Sequence, residues 1–201
     1  MTAFLSFQRT SSLAILLCSA DLLEEAASLF RKAADLHEAS ISDFKSLSKV
    51  NSILGAYTNM GITYEHIGSV NEQAAAFSRA LEILIEWNTQ NKGEEILAIN
   101  IWNMHQLTSM AKAFYATGDM AGGEWAARVA VEAQPSSPSA HFILAQLLSS
   151  AVGLPRVFLE RPREALEHVN VALALSPQTK HYLEAKNKLL IALQEANDAS
   201  G

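Results

Sequence analysis

Apolar residues recur three and four positions apart through most of the chain, a spacing typical of amphipathic helices. This periodicity lapses only where Gly, Pro, Asn or Ser gather. Asp119 and Ser137 each stand where an N-cap would help a helix begin, and Pro135, Pro138 and Pro177 mark joints between helix pairs. We therefore predict an all-α protein with helices over residues 8–19, 21–38, 44–67, 70–91, 95–117, 119–133, 137–151, 163–175 and 179–196.

One pattern of large and small side chains repeats along these helices. The best copy places an aromatic, an apolar, a small and a second aromatic residue on one helix: Tyr57, Met60, Gly61 and Tyr64. Equivalent sets are Leu107, Met110, Ala111 and Phe114, and then His141, Leu144, Ala145 and Leu148. A weaker copy surrounds Ala14. This pattern resembles that of the tetratricopeptide repeat, and only the interval from Ala111 to Ala145 has the standard length of about 34 residues.

The resemblance implies a right-handed superhelix of antiparallel helix hairpins, a tetratricopeptide-like α-solenoid of about four repeats with a C-terminal capping helix. The small residues Gly61, Ala111 and Ala145 would occupy equivalent places, where they let two helices approach closely. The predicted units cover residues 7–40, 54–92, 104–137 and 138–179, followed by a capping helix over 180–196. Together they form one predicted domain, 1–196, with a flexible tail over 197–201.

Charge and cysteine content narrow the possible partners and compartments. The net charge is -6 and the 15 basic residues never cluster, so nucleic acid and anionic membrane are poor partners. The single cysteine, Cys18, allows no internal disulfide and mildly favours a reducing, cytoplasmic location. The alternative is an organelle-targeting segment over residues 1–20. No stretch reaches the roughly 18 to 20 apolar residues that a membrane-spanning helix needs.

Candidate catalytic chemistry is sparse in the sequence. The six histidines are scattered, with none on one helical face beside another, so we predict no metal site. The glycine-rich stretch from Gly118 to Gly123 lacks the P-loop lysine and follows a predicted helix instead of a strand. We therefore expect no cofactor and no enzymatic activity, with a helical enzyme or small-molecule sensor as the less favoured alternative.

Protein binding is the function that the repeat pattern favours. The first helix of each hairpin should line a concave face that holds an extended peptide or a partner helix. Helical spacing assigns this groove the residues Thr58, Ile62, Glu65, Thr108, Lys112, Tyr115, Phe142, Gln146 and Ser149. The predicted function is a non-enzymatic adaptor or scaffold that binds other proteins, and the alternative is a structural subunit buried in a larger complex.

Two further expectations concern the partner. Tetratricopeptide domains that grip acidic chaperone tails use Lys, Arg and Asn at groove positions that here hold Thr58, Ile62, Ser109, Ser139 and Ile143. The resemblance therefore implies no clamp of that kind. An insertion over residues 152–162 carries four apolar side chains that either fold back on the repeats or form a docking patch: Leu154, Val157, Phe158 and Leu159.

Overall fold

The computed structural model describes residues 2–38, 47–90, 102–150 and 160–198. These described residues form nine helices and no strand, which confirms the predicted all-α class. The helices are α1 (Thr2–Ser19), α2 (Leu23–Glu38), α3 (Leu47–Ile67), α4 (Val70–Gln90), α5 (Met104–Thr117), α6 (Met120–Ala133), α7 (Pro138–Ser149), α8 (Glu160–Leu175) and α9 (Lys180–Asp198).

The chain divides into two compact units, Met1–Ile101 (unit 1) and Trp102–Gly201 (unit 2). In unit 1, α1 packs against α2, α2 against α3, and α3 against α4. In unit 2, successive helices from α5 to α9 pack in the same way, and α5 also contacts α7. Each unit is therefore built from helical hairpins, while the single domain over residues 1–196 stays a prediction.

The predicted pairing of small and bulky residues is present inside both units. Gly61, Ala111 and Ala145 are all buried on the first helix of their hairpins. A Cβ atom built on Gly61 would lie 2.6 Å from Cε1 of Phe77 on α4, so only glycine leaves room for the ring. In unit 2 a Cβ on Gly123 would lie 3.4 Å from the carbonyl oxygen of Ala111, because α5 and α6 approach closely there.

Local capping chemistry sets where several helices begin. Asp119 accepts a hydrogen bond from the Gly122 amide at 3.0 Å, which confirms its predicted capping role. The hydroxyl of Ser137 accepts from the Ala140 amide at 3.3 Å and confirms the second predicted cap. Gly118 ends α5 with a φ of 84°, a left-handed conformation that side chains with a Cβ disfavour.

Several predicted helix starts are wrong, and α1 for one begins at Thr2 and not at residue 8. Trp102 and Asn103 are not helical, so the helix predicted over 95–117 begins only at Met104. The Asn103 side chain accepts from the Gln106 amide at 3.0 Å, and the Gln106 side chain accepts from the Asn103 amide at 3.0 Å. This capping box starts a new helix. Helix α8 begins at Glu160, ahead of the predicted start at 163, because the first turn accommodates Pro162 without a lost hydrogen bond.

An ionic cluster joins three helices of unit 1. Arg79 on α4 donates from Nη2 to Oε2 of Glu38 on α2 at 3.0 Å, and Tyr57 on α3 donates its hydroxyl to Oε1 of Glu38 at 2.7 Å. Partial burial by itself raises the pKa of Glu38, but the hydrogen bonds from Arg79 and Tyr57 outweigh it and hold the pKa below its ordinary value of 4.5. Burial and the same carboxylate raise the pKa of Tyr57.

The Glu38 cluster predicts a pH-dependent loss of stability. Because the pKa of Glu38 is lower in the folded state, its contribution is fully present above the ordinary value of 4.5 and is lost as pH falls through the folded pKa. The Glu38→Gln variant should therefore lose less free energy of unfolding than the native chain when the pH falls from about 5 to about 3. Urea denaturation at each pH measures this loss. Glu24→Gln, on the exposed side of α2, is the control, and its free energy of unfolding should depend on pH as that of the native chain does. The same pH dependence of the free energy of unfolding in the native chain and in Glu38→Gln would contradict the prediction.

Candidate protein-binding site

Unit 2 contains a cavity of about 520 Å³ formed by four of its helices. This volume lies within the roughly 300–1,000 Å³ range of ligand pockets in proteins. Val169 lines it from α8 and is buried. The remaining lining residues are Tyr115 from α5, Phe142, Ala145, Gln146, Ser149 and Ser150 from α7 and its end, and His181, Glu184, Ala185, Lys188, Leu189 and Ala192 from α9.

Four of the nine predicted groove residues line this cavity: Tyr115, Phe142, Gln146 and Ser149. Lys112 lies one helical turn before Tyr115 on α5 and is exposed on the same face. Thr108, by contrast, is buried, and its hydroxyl donates to the Met104 carbonyl at 3.0 Å. The structure thus brings part of the predicted groove together and places Thr108 within the helix packing.

The other predicted groove residues lie in unit 1. Thr58 is fully buried, and its hydroxyl donates to the Leu54 carbonyl at 2.6 Å, so it serves its own helix. Ile62 and Glu65 are partly buried on α3. The insertion residues Leu154, Val157, Phe158 and Leu159 lie outside the described residues.

Sequence reasoning missed the contribution of α9. We interpreted this helix as a solvating cap, yet it supplies six of the residues that line the cavity. His181, Ala185, Lys188 and Ala192 recur four, three and four positions apart and therefore share one face. That spacing was the available signal, but nothing in the sequence shows that this face turns toward α7.

An aromatic cluster fixes the position of Phe142 at the cavity. Its ring centroid lies 4.5 Å from that of Tyr182 and 5.0 Å from that of His181. The His181 ring meets Phe142 at 70°, an edge-to-face arrangement that aromatic pairs favour. Phe142 is therefore held by α9 and offers a preorganised apolar wall.

The polar groups of the cavity differ in how far the protein satisfies them. The hydroxyl of Ser149 donates to the Gln146 carbonyl at 2.9 Å, and that of Ser150 donates to the Leu147 carbonyl at 2.7 Å. Within the described ranges, the Gln146 side-chain amide has no protein hydrogen-bond partner, and no carboxylate lies within 4 Å of the Lys188 ammonium. Among the described residues, the cavity therefore offers the Gln146 amide and the Lys188 ammonium to a ligand.

On the α6 and α8 side of unit 2, charged residues pair with one another. Arg128 donates to Glu164 at 2.6 Å and to Glu124 at 2.9 Å, and Arg161 also donates to Glu124. None of these residues lines the cavity. Their pairing holds α6 against α8.

Two histidines from different helices meet in unit 2, a contact that their separation in sequence did not reveal. Nε2 of His141 lies 2.9 Å from the Pro135 carbonyl, which only accepts, so this nitrogen carries a proton. With that proton on Nε2, Nδ1 of His141 is the acceptor for Nδ1–H of His168, and the two nitrogens lie 2.8 Å apart. Burial and the neighbouring His141 lower the pKa of His168. The pair links α7 to α8.

A metal site needs several ligands grouped together, and a membrane span needs a long apolar helix. Across residues 2–38, 47–90, 102–150 and 160–198, no three His, Cys, Asp or Glu side chains are grouped to hold a metal ion. Among the helices in those same ranges, none combines the length and apolar character needed to cross a membrane. The cavity in unit 2 is therefore the strongest candidate site in the described chain.

Comparisons with known proteins support the fold. No protein-family model matches the sequence, and none of the curated protein sequences matches it. Among solved structures, the MamA RS-1 ArsTM double mutant matches with a TM-score of 0.56 and 11% identity, covering 96% of this chain and 96% of that one. MamA AMB-1 matches with a TM-score of 0.54 and 16% identity, covering 96% of this chain and 91% of that one.

The first TPR domain of the human RPAP3 protein matches with a TM-score of 0.50 and 16% identity, covering 74% of this chain and 98% of that domain. Identities this low establish a shared architecture and no shared activity. Together with the helical hairpins and the buried small residues, these similarities show that the chain has a tetratricopeptide-like helical-repeat fold.

Proposed function

We propose that this chain is a non-enzymatic protein-interaction module, an adaptor or scaffold, and that the cavity of unit 2 holds a segment of its partner. The observation that carries the proposal is a cavity of about 520 Å³ that combines the apolar Phe142 and Leu189 with the Gln146 amide and the Lys188 ammonium, neither of which has a partner among the described residues. Helical repeats commonly bind peptides or helices on such concave surfaces.

The apolar part of the cavity suits a bulky side chain from the partner. Ala145, Ala185 and Ala192 leave space between α7 and α9, and Phe142 and Leu189 border it. Burying a Leu or Phe side chain contributes roughly 1.5–3 kcal/mol, enough for one anchor to dominate a short segment's affinity. The cavity therefore fits one or two apolar anchors.

The Gln146 amide suits the backbone of the same segment. An extended chain presents unpaired carbonyl and N–H groups, and one side-chain amide donates to the first and accepts from the second. Gln146 lies on α7 between Phe142 and Ser150, all of which line the cavity. This arrangement orients a partner segment without depending on its sequence.

Filling the cavity tests the proposal. Phage-displayed random peptides that bind the full chain should lose at least about tenfold in affinity on Ala192→Trp, because the indole occupies the anchor's space. Gln194→Trp is the matched control, since Gln194 is exposed on another face of the same helix. Fluorescence anisotropy with the selected peptides measures both. A library that yields no binders, or binders equally tight for both variants, would refute the proposed site.

A second candidate function, a structural subunit of a larger assembly, draws on the exposed apolar residues of α9. Leu183, Leu190 and Ile191 are 46%, 44% and 58% exposed. Such side chains are typical of surfaces that another protein covers. Peptides that lose affinity on Leu190→Lys while tolerating Ala192→Trp would favour this function over the first.

A further inference from the structure

We propose, on the basis of the function proposed above, that the occupant of the unit 2 cavity is an acidic amphipathic segment: an internal stretch of a partner protein in which carboxylates flank a bulky apolar side chain. The apolar anchor follows from the cavity itself. The acidic character follows from which charged groups around the cavity already have partners within this chain.

The open charges at the cavity are positive. Lys188 lines it from α9, and Lys112 lies beside the lining residue Tyr115 on α5. Both lysines are exposed, and in the described part of the chain neither has a carboxylate within 4 Å. The α5 and α9 sides of the cavity therefore both carry a cation.

The one acidic residue that lines the cavity is partly neutralised. The carboxylate of Glu184 lies 3.7 Å from the Lys180 ammonium one turn earlier on α9. Glu124 and Glu164, elsewhere in unit 2, are held by Arg128 and do not line the cavity. Although the chain has a net charge of -6, the described residues at this cavity include two lysines without a carboxylate partner and one glutamate that already has a lysine partner.

Charge complementarity then selects the partner. An acidic segment would pair with both lysines while its apolar anchor enters the space between α7 and α9. A basic segment would find one carboxylate already paired and two unpaired ammonium groups, which disfavours it. Because Lys112 lies on α5 and Lys188 on α9, carboxylates on both sides of the anchor would suit them.

The experiment uses a random peptide library displayed inside a loop, so that no free terminal carboxylate contributes, and selects on the full chain. We expect selected peptides to be enriched in Asp and Glu around Leu, Phe or Trp. Their affinity should fall about tenfold on Lys112→Glu/Lys188→Glu and should also fall with added salt. When the library is selected on that double variant, the selected peptides should instead be enriched in Lys and Arg.

Lys32→Glu/Lys49→Glu is the matched control, since it makes the same change in net charge at exposed positions of unit 1. It should leave affinity unchanged, and circular dichroism should find both double variants folded. Peptides that are blocked by Ala192→Trp yet are neutral or basic, and insensitive to Lys112→Glu/Lys188→Glu, would overturn the acidic partner while leaving the proposed function standing. An absence of any peptide blocked by Ala192→Trp would overturn both.

Discussion

Replacing Phe114 by Ala should lower the free energy of unfolding by about 3–5 kcal/mol, the loss typical of removing a buried aromatic ring. Phe114 is 1% exposed on α5, and the backbone of α6 passes close to it at Gly122 and Gly123. Its removal leaves a cavity between two helices that the surrounding backbone cannot easily fill. Urea denaturation followed by far-ultraviolet circular dichroism measures the loss.

The neighbouring aromatic residue supplies the control. Tyr115 is 39% exposed and lines the cavity, so Tyr115→Ala should change the free energy of unfolding by no more than about 0.5 kcal/mol. The two adjacent aromatic residues therefore have different roles, because Phe114 packs in the core whereas Tyr115 lines the cavity. Equal losses at Phe114 and Tyr115 would contradict the helix orientation described for α5.

Gly61→Ala should lower the free energy of unfolding by about 1–3 kcal/mol, the range typical of overpacking in a core. The sign is informative, because glycine-to-alanine changes inside helices ordinarily stabilise by about 0.5–1 kcal/mol. Here the new methyl group would lie 2.6 Å from Cε1 and 2.8 Å from Cζ of Phe77. Phe77 is fully buried, so its ring has little room to move.

A control and a rescue sharpen this test. Gly55 lies on the same helix with no atom within 4 Å of a Cβ built on it, so Gly55→Ala should stabilise unit 1. Phe77→Leu should cost less in the Gly61→Ala background than in the native chain, because the smaller side chain relieves the contact. If Gly61→Ala stabilised as much as Gly55→Ala, the close approach of α3 and α4 would be disproved.

The sequence predicted the hairpins and the small residues between them because both depend on local spacing. Gly61 and Phe77 stand at positions that the tetratricopeptide pattern assigns to touching helices, and the structure places them in contact. The caps at Asp119 and Ser137 were also predictable, since a cap involves residues only three positions apart. Short-range patterns therefore gave the architecture.

Which of the predicted groove residues line the cavity could not be read from the sequence, because the face that a residue occupies depends on how its helix is rotated in the pair. Tyr115, Phe142, Gln146 and Ser149 line the cavity, whereas Thr58 and Thr108 are buried. A threonine can satisfy its hydroxyl on the carbonyl four residues earlier, as both do here, and this lets a polar position enter the packing. Polarity alone did not distinguish the two environments.

Other features depend on contacts between distant segments. The meeting of His141 and His168 needs α7 and α8 to be packed, and their spacing along the chain contains no sign of it. The same holds for Lys188, whose position at the cavity depends on the packing of α9. The helix predicted over 95–117 began too early because helical periodicity continued through Asn103, although Asn103 and Gln106, three positions apart, form the capping box that starts α5.

The most direct measurement is nuclear magnetic resonance of the full chain with a selected peptide bound, with intermolecular contacts assigned by residue. The account predicts contacts from the peptide's apolar anchor to Phe142, Ala145 and Ala192, which surround the cavity of unit 2. Contacts confined to the α6 side near Glu124 and Arg128, with the cavity residues unperturbed, would contradict it.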